Sequence, residues 1–351
     1  MRILVTHMTP TGRATGVELF GDRVERCWLP YDYGFAVRRF LAHFRPAFGI
    51  ILETELWPRL IEESARAGVP VVLANARLSE KSARRYARFP RLTRWALANL
   101  AGIAAQTQAD ADRFVALGAA PPAVTGNIKF DLDVPEAQLE LGNGFRRRFG
   151  TDRRVIVAGS TRDGEEALLL EALAAAHAPP ATLLAIVPRH PQRFAEVEAL
   201  ARNCGLAAAR RSDEGSVDAS VSVLVGDSMG EMLAYYAAAD VVIMGGSLLP
   251  YGAQNLIEPC AMGKPVVVGP HTYNFEEAAR GAIDAGAAAR VSDAKAALQE
   301  ALAIAADSGR RERMGAAGRA FASANRGAVP RLLDWIAARA SGEAIKGDAT
   351  L

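Results

Sequence analysis

The sequence predicts an α/β protein made of two doubly wound, parallel-sheet domains, and three observations carry that prediction. Short, nearly uninterrupted apolar runs recur along the whole chain. Amphipathic stretches of helical period fill the gaps between them, and most apolar runs end in glycine or polar residues. Apolar runs without polar alternation mark strands covered on both faces, the condition of a parallel sheet between helical layers. With 351 residues, 50% hydrophobic and 23% charged, the chain has the size and composition of a soluble two-domain protein.

The strands read in order as "RILVT", "FGIILE", "VPVVLANA", "GIAAQT", "RVIVAGS", "ATLLAIVP", "SVLVG", "VVIMGG" and "KPVVVGP". Helical periodicity separates them, in "YGFAVRRFLAHF", "WPRLIEESARAG", "ADADRFVALG", "GEEALLLEALAAA" and "HPQRFAEVEALARNCG". Strand signals lapse in "GNIKFDLDVPEAQLELGNGFRRRFG", where Gly, Asp and Pro gather. The domain boundary is expected there, around residues 130 to 150, giving domains at 1–130 and 131–342 and a frayed tail at 343–351.

Composition narrows the function. A net charge of +2 excludes a strongly basic nucleic-acid binder, although arginine greatly outnumbers lysine. Cys27, Cys204 and Cys260 are odd in number and widely spaced, matching neither a metal nor a disulfide pattern and favouring a reducing compartment. No uncharged apolar run approaches the roughly 18 residues of a membrane span. The richest, "ALLLEALAAAHAPPATLLAIV", is broken by Glu171, His177 and two prolines. No Asp or His cluster has metal-ligand spacing, so neither a metal nor another cofactor is expected.

In doubly wound folds, ligands bind beyond the carboxyl ends of the strands. In the second half four strand ends carry the chemistry: Gly159-Ser160-Thr161-Arg162, Val187-Pro188-Arg189-His190, Asp227-Ser228-Met229-Gly230-Glu231, and Gly245-Gly246-Ser247. Each leads into a helix, so small residues, backbone N–H groups and one arginine converge, which suits a phosphate and a polar nucleotide. Each also has a plain alternative: Gly245 to Ser247 as a tight turn, Asp227 and Ser228 as helix caps, Arg189 and His190 as a solvated helix start. Glu258 stands apart. It lies among Leu256, Ile257 and Pro259, and a partly buried carboxylate needs hydrogen-bond donors, a role ribose hydroxyls fill well. In the first half, "IILETELWP" places Glu53 and Glu55 on one side of an extended segment, by period-two alternation.

"GGSLLPYGAQNLIEP" followed by "GKPVVVGPHTYNFEE" resembles the donor-domain signature of the 3-deoxy-D-manno-octulosonic acid (Kdo) transferases. "MTPTGR", "ETELWPRLI", "NARLSEKSARRY", "TGNIKFD", "GSTRDGEE", "VPRHPQRF" and "GDSMGEM" extend the resemblance, in family order, over nearly the whole chain. It implies a GT-B fold of two facing Rossmann-like domains, acceptor on the N-terminal one and CMP-Kdo on the C-terminal one. The implied reaction is an inverting, metal-independent transfer of Kdo to a lipid A precursor in lipopolysaccharide core synthesis, at the cytoplasmic face of the inner membrane. Carried over by residue, CMP contacts fall on Pro188, Arg189, Met229, Gly230, Glu231, Asn255, Leu256, Ile257 and Glu258, with Gly246 and Ser247 also counted in the donor site and the glycines Gly245 and Gly246 letting the backbone approach the donor. Glu53, with Glu55 second, is the implied catalytic carboxylate, and Lys129 the cation beside the breaking bond. Arg77, Ser79 and Lys81 are the implied contacts to an anionic acceptor.

Two departures are visible. Gly252-Ala253-Gln254-Asn255 stands where the family has Gly-Gly-His-Asn. Ahead of "RILVTHMTPTG" the family carries a hydrophobic anchor, a first strand and a Gly-Glu loop bearing the general base. Their absence here implies an incomplete first domain, with a misassigned start codon favoured over a degenerate form. The alternatives are another GT-B enzyme acting on a UDP-sugar, as a transferase or epimerase, and a truncated nucleotide-binding form with impaired catalysis.

Overall fold

Thirteen strands, among the described residues, are distributed over two compact units in a computed structural model of the chain. The structure describes residues 2–340 apart from 177, 178, 180, 214 and 216, so the tail expected at 343–351 lies outside the described residues. One unit comprises Met1–Thr125 with Pro330–Leu351, the other Gly126–Val329.

In the first unit β1 (Leu4–His7) and β2 (Glu25–Trp28) form a two-stranded parallel sheet. A second parallel sheet has the order β3 (Gly49–Leu52), β4 (Val71–Ala76), β5 (Gly102–Ala105) and β6 (Ala123–Val124). Its core gathers Ile61, Leu73, Leu78, Leu97, Ile103 and Phe114. β4 is buried at every position, whereas Ile3, beside β1, and Ile50 and Leu52 of the edge strand β3 remain about half exposed.

The second unit holds one seven-stranded parallel sheet. Its strands are β7 (Arg154–Thr161), β8 (Thr182–Pro188), β9 (Ala208–Arg210), β10 (Val223–Val225), β11 (Val241–Met244), β12 (Val266–Val268) and β13 (Ala288–Arg290). Their spatial order is β13-β12-β11-β7-β8-β10-β9. Neighbouring residues of one strand feed opposite cores: Val157 packs with Leu183, Tyr235 and Val242, while Ile156 packs with Leu169, Leu184 and Ile243. Both faces are therefore apolar, as the uninterrupted strand sequences require. The strand order reverses between β7 and β11, the place where doubly wound sheets open a crevice.

Three features differ from the sequence expectation. The units divide at Thr125 and Gly126 rather than at residue 130, which puts Lys129 in the second unit. The stretch expected to be a boundary contains the helix Glu136–Phe149, whose Phe145 and Phe149 join the second unit's core. The closing helix, Ala328–Ala340, falls within the range expected for the second domain, yet from Pro330 onward it belongs to the first unit. Trp335 fills the space a Gly102 side chain would need, Arg331 donates to Thr125 O, and Arg339 donates to Ala101 O.

Candidate active site

Most of the polar groups expected to bind nucleotide lie beyond the carboxyl ends of β7, β8, β10 and β11, all within the second unit. β8 ends on buried Pro188, and the exposed Arg189 follows, its N–H bonded to Thr161 O at 3.0 Å. After β10, Met229 and Gly230 are exposed, and Glu231 accepts a hydrogen bond from Arg211 Nη2 at 2.8 Å. Asp227 accepts from the N–H and hydroxyl of Ser212, and the Ser228 hydroxyl bonds the Tyr235 hydroxyl at 3.0 Å, so neither caps the following helix.

Glu258 lies in the short helix Ile257–Ala261, and its Oε1 accepts from Asn255 Nδ2 at 2.9 Å. The Asn255 Oδ1 in turn accepts from Ile257 N. Burial raises the Glu258 carboxyl above the usual glutamate value of 4.5, while Asn255, Lys129 and Arg189 pull it back down. Lys129 and Arg189 thus bring two positive charges close to one half-buried carboxylate. The Lys129 ammonium also sits 5.0 Å over the Phe275 ring, a cation–π contact. One acceptor and two cations at a sheet crevice can receive ribose hydroxyls and a single phosphate.

Several expected contacts have other occupations. Gly246 N donates to Glu165 Oε2 at 2.6 Å, and Leu248 N and Leu249 N donate to Glu165 Oε1 at 2.9 and 3.4 Å. These N–H groups already hold an internal carboxylate, so a phosphate must find its counter-charge on side chains. Ser247 is fully buried. Its hydroxyl donates to Met244 O at 2.5 Å and accepts from Gly269 N at 2.8 Å, so the side chain is engaged inside the protein. Gly245 is required by packing, because a Cβ there would collide with the Ser160 backbone. Leu256 and Ile257 direct their side chains into the core and leave only main-chain groups for a ligand.

In the first unit, β3 ends at Leu52 and Glu53 adopts a left-handed conformation, φ 63°. This overturns the shared face expected of Glu53 and Glu55, since alternation holds only while the chain stays extended. The turn is fixed by Glu53 N to Ala74 O (3.0 Å) and Arg77 N to Glu53 O (3.3 Å). A non-glycine residue held at positive φ carries strain of order 1–3 kcal/mol and is characteristic of functional positions. Glu55 differs: its carboxylate accepts the Trp57 indole N–H at 2.9 Å. Ser79 caps the helix Glu80–Tyr86 through Ser82 N, which accounts for it without a ligand. Half-buried Arg77 and exposed Lys81 flank it, and the buried Asp110 carboxylate fixes the segment through Leu78 N at 2.8 Å.

Glu165 and Glu166 were not singled out from the sequence. Both are completely buried, at the first turn of the helix Glu165–Ala175. Glu166 accepts from Thr161 Oγ1 at 2.9 Å and from Arg193 Nη2 at 3.2 Å. Acidic residues in a first helical turn are commonplace, so only their spatial partners distinguish them. Among the described residues no group of three or more His, Cys, Asp or Glu side chains could hold a metal ion.

Two Rossmann-like units of parallel sheet, with polar groups gathered beyond the strand ends, define the GT-B class of glycosyltransferase folds. Anabaena HepE in complex with UDP shares the fold, with a TM-score of 0.65 over 96% of this chain and 92% of that one at 16% identity. Residues 1–132 match the family model of 3-deoxy-D-manno-octulosonic-acid transferase (kdotransferase). The 3-deoxy-D-manno-octulosonic acid transferase of Bordetella pertussis is 48% identical over 342 residues, 95% of this chain and 79% of that protein. The C-terminal CMP-Kdo binding domain of WaaA from Acinetobacter baumannii is 34% identical, with a TM-score of 0.51 over 53% of this chain and 98% of that domain. The chain belongs to the Kdo transferase family of glycosyltransferases.

Proposed function

We propose that the chain transfers Kdo from CMP-Kdo to a lipid A precursor in lipopolysaccharide core synthesis, with inversion and without a metal or other cofactor. The observation that carries this reading is the meeting of Glu258, Lys129 and Arg189 in the unit similar to a CMP-Kdo binding domain. Glu258 with Asn255 receives the ribose, and Arg189 answers the single phosphate. Lys129 neutralises charge that grows on the departing phosphate or on the sugar's own carboxylate. A carboxylate base takes the proton of the acceptor hydroxyl as its oxygen attacks the anomeric carbon opposite CMP, the bond to the phosphate oxygen breaks with its electron pair, and CMP leaves. Glu53 is assigned to stabilise the positive charge that gathers on the attacked sugar, and Glu55 to support the local loop. Arg77 and Lys81 are assigned to the anionic acceptor.

No helix among the described residues is long and apolar enough to cross a membrane. A peripheral attachment is supported by the segment around the helix Gly34–Phe44, where Tyr31, Tyr33 and Phe35 are 83%, 63% and 64% exposed. Asp32, between the two tyrosines, caps the helix Pro58–Arg66 through Arg59 N and Leu60 N, so this surface is anchored to the segment that follows Glu53. Exposed aromatics beside Arg38 and Arg39 suit the headgroup layer of an anionic bilayer. Titration calorimetry with CMP and UDP tests the donor assignment. CMP should bind more tightly than UDP, and Glu258→Ala should weaken both nucleotides, which share the ribose; a wild-type preference for UDP would sink the reading.

A further inference from the structure

We infer that Glu165 and Glu166 are positioning residues: two adjacent buried carboxylates that hold the loops after β7, β8 and β11 in the geometry the nucleotide needs. The inference rests on the donor site described above.

The bonds of Glu165 span the strand-order reversal. Its Oε2 accepts from Arg162 N at 2.9 Å on the β7 side and from Gly246 N at 2.6 Å on the β11 side, while Oε1 takes Leu248 N. The Gly245–Leu249 turn leads directly into Gly252–Glu258, through Ala253 N to Gly246 O and Gln254 N to Gly245 O at 2.6 and 3.0 Å. A carboxylate fixed against one end of this segment therefore sets the place of Asn255 and Glu258 at the other. Glu166 does the same for the β8 loop. Its carboxylate joins Thr161 Oγ1 to Arg193, and the Thr161 carbonyl receives the N–H of Arg189.

Three converging N–H groups of one loop resemble an anion cradle, and here the protein supplies the anion. Ligand phosphate is not required to order this turn. Burial raises the Glu165 carboxyl above its usual value, against four backbone N–H donors that lower it. A neutral residue would avoid that desolvation, so a buried carboxylate at this position fits a role in loop geometry better than one in bulk stability.

The test combines amide exchange with CMP binding. In the unmutated protein, Gly246 and Leu248 amides should be protected equally with and without CMP. Rapid exchange in the free protein, slowed only by CMP, would show that ligand orders the loop and would overturn the inference. In Glu165→Gln the amide NH2 faces backbone donors. Exchange at Gly246 and Leu248 should rise about tenfold or more, and KM for CMP-Kdo should rise about tenfold with kcat nearly unchanged. Glu166→Gln should leave those two amides unchanged and loosen Arg189. Faster loop exchange with unaltered CMP affinity would overturn the positioning role. Arg189→Ala and Glu258→Ala serve as the control: unchanged CMP affinity in both means the donor site itself is misplaced, and the inference falls with it, whatever the exchange data show.

Discussion

The two units share an α/β plan but differ in how completely they bury it. The second unit forms one sheet of seven strands whose central members are sealed on both faces, and its candidate residues are braced by buried side chains. The first unit divides six strands between two sheets and exposes Ile3, Ile50, Leu52, Trp28, Tyr31, Tyr33 and Phe35. A site for a small polar nucleotide gains from a rigid frame, because ordering is then complete before binding. A site for a lipid-borne acceptor needs apolar surface available to a bilayer. On the function proposed above, rigidity and exposure would follow the ligand each unit takes.

The largest expected effect separates the two acidic residues of the first unit. Glu53→Gln should lower kcat for transfer from CMP-Kdo to a lipid A precursor by about 10²-fold or more while CMP affinity stays constant. Glu55→Gln should change kcat by less than about threefold, since its carboxylate serves Trp57. Equal losses in the two variants would show that the left-handed turn at Glu53 has no special standing.

In the second unit, Glu258→Ala should weaken CMP binding by about 1–3 kcal/mol by calorimetry, with Arg189→Ala in the same direction and smaller. Both wild-type affinity and these losses should be unaltered in EDTA. Magnesium-dependent binding would contradict the assignment of Lys129 and Arg189 as the counter-charges.

pH should act on the same carboxylate with opposite signs for stability and binding. The Glu258 carboxyl is raised in the folded protein, mainly by burial and against Asn255, Lys129 and Arg189, and Tyr236 also feels its charge. Its contribution to folding is fully present below 4.5 and is lost as pH rises through the raised value. CMP affinity should follow the ionised form, falling as pH drops through that same value. Melting and calorimetry from about pH 4.5 to 7.5 should show the two slopes, each reduced in Glu258→Gln, with Glu165 leaving a residual slope of the same sign in stability.

The smallest effect concerns Ala253, held at φ 67° where the family pattern has glycine. Ala253→Gly should stabilise the second unit by about 0.5–1 kcal/mol in denaturant melts, because a left-handed alanine is strained and glycine is not. No change would mean that the loop relaxes around the methyl group.

The sequence made nine strands legible, and the four it hid, β2, β6, β9 and β13, are all edge strands. An edge strand needs no continuous apolar run, so Glu25–Trp28 and Ala208–Arg210 carry no clear signal. The helix Glu136–Phe149 was hidden by Gly142 and Gly144, although Gly142 is required there to let the helix approach Ala234 and Ala237. Glu258 and Asn255 were legible because a carboxylate among apolar neighbours is an anomaly within a few residues. The internal partners of Ser247 and Glu165 are not legible in the sequence for one reason. Their partners include residues up to 84 positions away, a relation that local pattern does not contain.

The packed turn at Gly245, Gly246 and Ser247 has a consequence for genetics. A screen for loss of function will return substitutions at Gly245 as readily as at Glu258, and a map of damaging positions will draw one continuous patch. The patch is two populations. A side chain at Gly245 forces β11 away from the Ser160 backbone and should deplete the protein from cells, whereas loss of the Glu258 carboxylate should leave abundance intact and remove only the activity. Scoring protein level beside phenotype would divide the patch along the line between Ser247 and Asn255.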